Sequence, residues 1–332
     1  MDADDVTQVT ESLRRALQTD PDNARDAVGE FGWTELLDDE PMVAVRTLFP
    51  LWGELLAHGS MLDEVMAHAT GIADLDPTTR VALPALGGSD VPGTRRGDSV
   101  ILDGLIAPGS GPVLVAATSE SGAVALVVVA APPAQAGDPL DPTMALRRIR
   151  GEFTVIAEPV ADAPIAWASM LAAGRRALAH ELNGVTGAMK AMTVEHVLSR
   201  EQFGQALGSF QAVKHQLADV HLWHQVAELS AAAAWEDGGV RQDGVRQDGV
   251  RQDGGAQSAA LAKVSANRAS ATARRVCQQL LGGMGFTWEH DFHRYLRRAL
   301  TLEPLLGGVA DLHGELGAAL RDGRLGHQLI SL

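Results

Sequence analysis

The chain has 332 residues, of which 46% are hydrophobic and 21% charged, enough to bury a substantial core and to hold two or three domains. A formal net charge of -15 and a pI near 5.1 argue against a nucleic-acid surface, because phosphate binding needs clustered Lys and Arg, and disfavour acidic phospholipid for the same reason. The single cysteine, Cys277, excludes an internal disulfide and a multi-cysteine metal site, and it reads as a small buried apolar residue.

The first residues, Met1-Asp2-Ala3-Asp4-Asp5, lack the basic and apolar stretches of a secretory signal. The longest apolar run, Ala123 to Ala131, is far shorter than the roughly 20 residues that span a bilayer, so a soluble cytoplasmic protein with no membrane partner is expected. Helical spacing of apolar residues predicts helices over Val6 to Leu17, Ala24 to Leu37 and Val43 to Ala57, which make a shortened N-terminal helical domain, residues 1–78. From Val81 the pattern changes to short runs such as Ser99 to Leu102, Pro112 to Ala116 and Ala123 to Val129, separated by Gly, Pro, Ser and Asp. They predict a small middle β domain, residues 79–162.

After Pro164 the helical period returns. Leu178, Leu182, Val185, Met189 and Met192 alternate steps of four and three, as do Val213, Leu217, Val220, His224 and Ala227, with Ser209 placed to cap the second helix. A third stretch repeats the pattern with small residues from Ala262 through Ala273 to Leu280, which lets helix axes approach closely. With further helical turns in Phe292 to Leu302 and Val309 to Leu320, residues 163–332 are predicted to form a helical bundle. Gly-Val-Arg-Gln-Asp occurs three times in tandem from Gly239, Gly244 and Gly249; one Val per unit cannot build a core, so residues 237–256 are expected to be a loop. The fold class expected is α+β, mostly α.

Two motifs carry the chemistry. The first runs Arg200-Glu201-Gln202-Phe203-Gly204 and on to His215; the second is Gln279-Leu280-Leu281-Gly282-Gly283-Met284-Gly285-Phe286-Thr287. Arg200 offers a charged fork suited to phosphate oxygens, Gln279 offers amide hydrogen bonds, and Gly282 and Gly283 offer backbone with no Cβ in the way. From the residues alone, the competing reading is that Arg200 caps a helix C-terminus and the glycines end a helix.

Both motifs, in this order and at this separation, resemble the C-terminal domain of the flavin-dependent acyl-CoA dehydrogenases, and Phe31-Gly32-Trp33 resembles that family's helical N-terminal lobe. The resemblance implies the family fold: a helical lobe, a small β domain and a four-helix bundle. It also implies FAD as cofactor, with Arg200, Gln202, Phe203, Gln279, Gly282 and Gly283 reaching across a dimer to the pyrophosphate and adenosine of a neighbour's flavin.

Three departures accompany it. The family's Tyr-x-x-Thr-Glu-Pro-x-x-Gly-Ser-Asp segment, which holds the flavin ring, corresponds here to Arg80 through Asp90, with Leu83 in place of the Thr. The Trp-Ile-Thr strand end corresponds to Leu105-Ile106-Ala107. Counting from Arg297-Arg298-Ala299, the position of the glutamate that removes the substrate's α-proton is Gly307, and a following Thr becomes Val309; the alternative site of that base, on an earlier helix, is Gly174. No catalytic residue is therefore assigned. Glu181, Glu289 and Glu303 are nearby carboxylates that read as structural.

Retained trans contacts beside lost cis contacts resemble the small subunit of heteromeric α2β2 acyl-CoA dehydrogenases of bacterial sterol degradation. The expected partners are a larger acyl-CoA dehydrogenase subunit carrying the base, and an acyl-CoA substrate. Two alternatives stand beside this: a self-sufficient homomeric dehydrogenase with a relocated carboxylate, and a non-catalytic scaffold of the same fold. His290, Asp291, His293, His221 and His224 lack a second cluster at metal spacing, so no metal is expected. Gly283-Met284-Gly285 follows a helix and is no dinucleotide fingerprint, and no Gly-x-Ser-x-Gly turn occurs.

Overall fold

In the computed structural model, which describes residues 1–130, 138–159, 162–236 and 255–323, the chain opens with α1 (Ala3–Thr19). Asp2 starts that helix by accepting from the backbone N–H groups of Asp4 and Asp5 at 2.9 Å, and the Asp5 carboxylate reaches back to the N–H of Asp2. The single helix expected over Ala24 to Leu37 is in fact two, α2 (Ala24–Glu30) and α3 (Trp33–Asp39), because Gly32 takes a left-handed φ of 85° that ends one helix and starts the next. Helix α4 (Pro41–Glu54) follows, buried on nearly every side, and then α5 (Leu62–His68), whose seven residues are too few to show a period in sequence.

The β domain holds β1 (Arg80–Val81), β2 (Gly93–Arg96), β3 (Ser99–Ile106), β4 (Val113–Thr118), β5 (Val124–Val129) and β6 (Arg147–Ala157). They form one sheet in the order β1-β4-β2-β3-β6-β5, and β5 also pairs with β4, so the sheet closes on itself and leaves few free edges. Strand β3 alternates as its sequence does, with Val100, Leu102 and Ile106 turned into the interior.

The long helices are α6 (Ala163–Ser199), α7 (Gln211–Glu236) and α8 (Ala256–Leu281). The apolar stripe of α6, Leu178, Leu182, Val185 and Met189, is fully buried, as is the alanine stripe of α8. Helices α9 (Phe292–Leu302) and α10 (Val309–Arg321) complete the bundle. Ser209 does not cap α7 as expected: it lies in a 3-10 turn and donates its hydroxyl to Ala206 O at 2.7 Å, leaving Gln211 to begin the helix. Most of the predicted repeat loop, residues 237–254, lies outside the described residues; Gly255, at a φ of 78°, starts α8. No described helix is long and apolar enough to cross a membrane.

Glycines set the crossing of α4 and α6. A Cβ on Gly184 would stand 2.0 Å from Pro50 O, and one on Gly53 would stand 2.2 Å from Glu181 O. Gly184→Ala is expected to push these backbones apart and lower stability by about 1–3 kcal/mol, read by urea unfolding; no change would mean the helices separate freely.

Helices α6 and α7 are joined by the Trp235 indole N–H, which donates to His180 Nε2 at 3.1 Å. Burial, with Arg46 and Arg176 nearby, pushes His180 down to about 3 from 6.5. Between those two values the unfolded chain carries a proton that the folded chain lacks, so stability falls as pH drops below 6.5. The expected loss is about 1.4 kcal/mol per pH unit, and His180→Gln, which keeps an acceptor for Trp235, should remove it. Urea midpoints at neutral and mildly acid pH test this; equal slopes for both proteins would refute it.

Candidate functional site: an open bundle end and a filled interior

Helix α6 stops at Arg200, whose backbone N–H still bonds His196 O at 2.8 Å while its φ and ψ, -82° and 121°, leave the helix. The chain then makes a two-residue hairpin between β7 (Glu201–Gln202) and β8 (Gln205–Ala206). Its turn residues, Phe203 and Gly204, have φ of 56° and 80°, the pair of left-handed conformations such tight hairpins require. Gly204 adopts this freely; Phe203 does so at a steric cost. The result is a Phe203 ring 91% exposed and steadied only edge-on by Phe210, with centroids 6.2 Å apart. Arg200 is exposed and meets no carboxylate among the described residues. Gln202 turns its amide to Glu201 O at 2.7 Å.

The second motif lies at the same end of the bundle. The Cys277 thiol, two residues before Gln279, lies beside Thr193, which is seven residues before Arg200 and donates its hydroxyl to Met189 O at 2.8 Å; burial pushes that thiol up to about 11, an inert value. His196 is held below its ordinary value by desolvation and then by His290, three residues past the second motif, and Arg200 of the first. Gln279 sits exposed in the last turn of α8, and Gly282 ends that helix at a φ of 59°. The glycines therefore do end a helix, but that explains only one of them: Gly283 has an ordinary φ, and a Cβ there would meet nothing within 4 Å. No packing among the described residues requires Gly283. Phe286 and Trp288, both 74% exposed, extend the apolar surface beyond it.

The interior is the opposite case. Leu83 and Leu105 pair backbone to backbone at 2.8 and 2.9 Å, and both Leu83 and Ala107 are buried. Gly87 donates to Pro304 O at 2.9 Å and accepts from the Gly308 N–H at 3.0 Å, so the 304–308 segment lies directly on this turn. A Cβ on Gly174 would stand 2.4 Å from the Leu306 methyl and 3.1 Å from Met66, so Leu306 fills the space a carboxylate there would need. Gly307, at a φ of 112°, has Leu312 2.9 Å from where its Cβ would be. The space beside both Gly174 and Gly307 is thus closed.

Buried charges unnoticed in the sequence hold this closure. Arg175 donates to Leu306 O at 3.0 Å and forks onto Glu315 at 2.9 and 2.7 Å. Lys263 donates to Leu302 O, Glu303 O and Asn267 Oδ1, capping the C-terminal end of α9 just before the segment begins. The sequence signal was there: Arg175 and Lys263 stand among alanines in otherwise apolar helix stretches. Two of the three carboxylates left as alternative bases are committed. Glu303 is held by Arg274 at 2.7 and 2.8 Å and by Ser270 at 2.7 Å, and Glu181 is buried against Arg298 at 2.7 Å. Glu289 lies exposed. His224 bonds Lys190 and Asn183 O at 2.9 and 3.0 Å, and no group of three or more metal-ligating side chains forms among the described residues.

Residues 163–320, from α6 through α10, match the family model for the acyl-CoA dehydrogenase C-terminal domain. The chain is 30% identical over 247 residues to acyl-CoA dehydrogenase IpdE2 of Mycobacterium tuberculosis, covering 74% of this chain and 68% of that protein. It is 38% identical over 135 residues to acyl-CoA dehydrogenase FadE34 of the same organism, covering 40% of this chain and 17% of that one. Among solved structures, the steroid ACAD Tcur3481-Tcur3483 superposes with a TM-score of 0.73 at 24% identity, over 97% of this chain and 99% of the other. The ChsE4-ChsE5 complex from Mycobacterium tuberculosis superposes with a TM-score of 0.70 at 20% identity, over 97% and 98%.

Proposed function

We propose, from the premise that this chain belongs to the acyl-CoA dehydrogenase family, that it is the base-free subunit of a heteromeric acyl-CoA dehydrogenase, completing a flavin site held mainly by its partner. FAD is the family's cofactor, and when bound it takes the hydride from the substrate's β-carbon as a carboxylate removes the α-proton. The residues at the open end of the bundle fit the adenosine half of that group. Arg200 would donate to pyrophosphate oxygens, Phe203 would lie against the adenine, and Gln202 and Gln279 would hydrogen-bond the dinucleotide, while Gly282 and Gly283 admit it close to the backbone.

The ring half does not fit this chain. Leu83, Leu105 and Ala107 offer neither hydroxyl nor aromatic face, and no free carboxylate stands at Gly174 or Gly307. The observation that carries the reading is this contrast between Gly283, open with no internal reason to be glycine, and Gly174, closed by Leu306. The homomeric alternative loses support because Glu181 and Glu303 are both tied up in ion pairs. The steroid ACAD among the structural neighbours supports a sterol-derived acyl-CoA as the substrate of the assembly, and the ChsE4-ChsE5 complex supports a partnership of unlike chains.

Expression of this chain alone and together with a larger homologue that carries both a Thr-Glu-Pro segment and a placed Glu separates the possibilities. Alone, it should purify without flavin; together, the two should give a yellow complex that oxidises acyl-CoA. One FAD per chain and turnover by this chain alone would overturn the division of labour.

A further inference from the structure

A cleft of about 410 Å³ opens between α4, α6 and α7, about a third to a half turn round α6 from Gly174 and separate from the surfaces described above. Each helix lines it with residues four apart: Arg46, Pro50 and Glu54 from α4, and His224, Glu228 and Ala232 from α7, with His180, Asn183 and Gly187 from α6 between them. The volume is that of a small-molecule site.

Its polar groups are set for an acceptor that this chain does not provide. His180 is only 7% exposed; because its Nε2 accepts from Trp235, its proton sits on Nδ1, which has no acceptor among the described residues. Asn183 is 5% exposed, and its side-chain NH2 has no acceptor among the described residues. Unpaired buried polar groups of this kind cost stability unless something else satisfies them. At the mouth, the exposed Arg46 guanidinium meets no carboxylate, its one described side-chain contact being Met42 Sδ at 3.9 Å. The two acids of the cleft are placed away from these donors or already engaged. Glu54 is held by both arms of Arg14 at 2.7 Å, and Glu228, a turn beyond His224, accepts from Gln225. Glu228 leaves a negative charge at that end, which limits the ligand to one anionic group, at the Arg46 end.

The geometry points to a binding site for a small monocarboxylate in this cleft, its carboxylate received by Arg46, His180 and Asn183 and its apolar tail lying along Pro50, Ala188 and Ala232. A fixed N–H, an amide and a guanidinium converging on one oxyanion form charge-assisted bonds that a neutral or cationic ligand cannot make. Nothing in this assignment depends on how the flavin site is shared.

Pentanoate titrated calorimetrically into the purified full-length chain, alone and in any complex it forms with a partner subunit, tests the site, with pentylamine and sodium chloride as controls. Saturable binding is expected at one site per copy of this chain, weakened at least about tenfold by Arg46→Gln, with flavin content and acyl-CoA turnover unchanged. Arg46 is exposed, so that variant keeps its fold. Asn183→Leu, which removes the amide at similar volume, should weaken binding as well. Absence of saturable binding, equal binding of pentylamine, or unaltered affinity in Arg46→Gln would each overturn the assignment; a partner side chain already filling the cleft would appear as the first of these.

Discussion

Arg298→Ala is expected to cost about 3–5 kcal/mol of folding stability, more than any other substitution considered for this chain. The Arg298 side chain is fully buried where three parts of the fold meet. It bonds Glu181 of α6 at 2.7 Å, Ala57 O after α4 at 2.9 Å, and Asp141 and Thr143 of the β domain, the last at 2.9 Å. Burial pushes the Glu181 carboxyl up even with the guanidinium present, and burial opposes the charge on Asp141 too, which Arg298 and Thr143 nevertheless hold below the usual carboxylate range. Truncation would leave two acids without a counter-charge in the interior. Arg298→Lys should recover little, since one ammonium cannot reach four acceptors spread around a planar fork. A double change, Arg298→Met with Glu181→Leu, should lose less than Arg298→Met alone, because it removes one of the two buried acids that the lost guanidinium leaves unpaired. Urea unfolding reads all three; a loss below about 1 kcal/mol in Arg298→Ala would show that water replaces the guanidinium.

Under the proposed division of labour, Arg200→Ala and Gly283→Val are expected to strip FAD from the complex with a partner subunit while leaving this chain as stable as before. Arg200 is exposed and unpaired with any described carboxylate, and a side chain on Gly283 enters open space, so neither change removes a contact inside the chain. Loss of a charge-assisted bond to phosphate should weaken flavin binding about tenfold or more, and the valine at 283 should block the close backbone approach. Flavin absorbance of the purified complex, set beside its thermal midpoint, measures both effects. Full flavin in Arg200→Ala would favour the scaffold reading. Flavin lost together with a large fall in thermal midpoint would show that the motif is structural.

The fold was legible where a period could accumulate. Stripes such as Leu178-Leu182-Val185-Met189 and the alanines of α8 marked the bundle, and β-branched runs marked the sheet, because burial on one face repeats with the geometry of the element. Short features escaped. Helix α5 has too few turns, Gly32 split an expected helix by its φ alone, and Ser209 proved to serve a 3-10 turn that no local pattern announces.

The sequence by itself determined the two motifs at Arg200 and Gln279 and the glycines at 174 and 307, since these are matters of residue identity and spacing. Only the tertiary structure decided what those glycines mean. Leu306 and Met66 come from distant parts of the chain to close the space at Gly174, whereas nothing approaches Gly283, and identical side chains acquire opposite roles from the company that long-range packing brings. The same holds for Arg175, Lys263 and Arg298: each reads as an ordinary charge in a helix, and only folding reveals the buried acceptors that make it a fixed part of the interior.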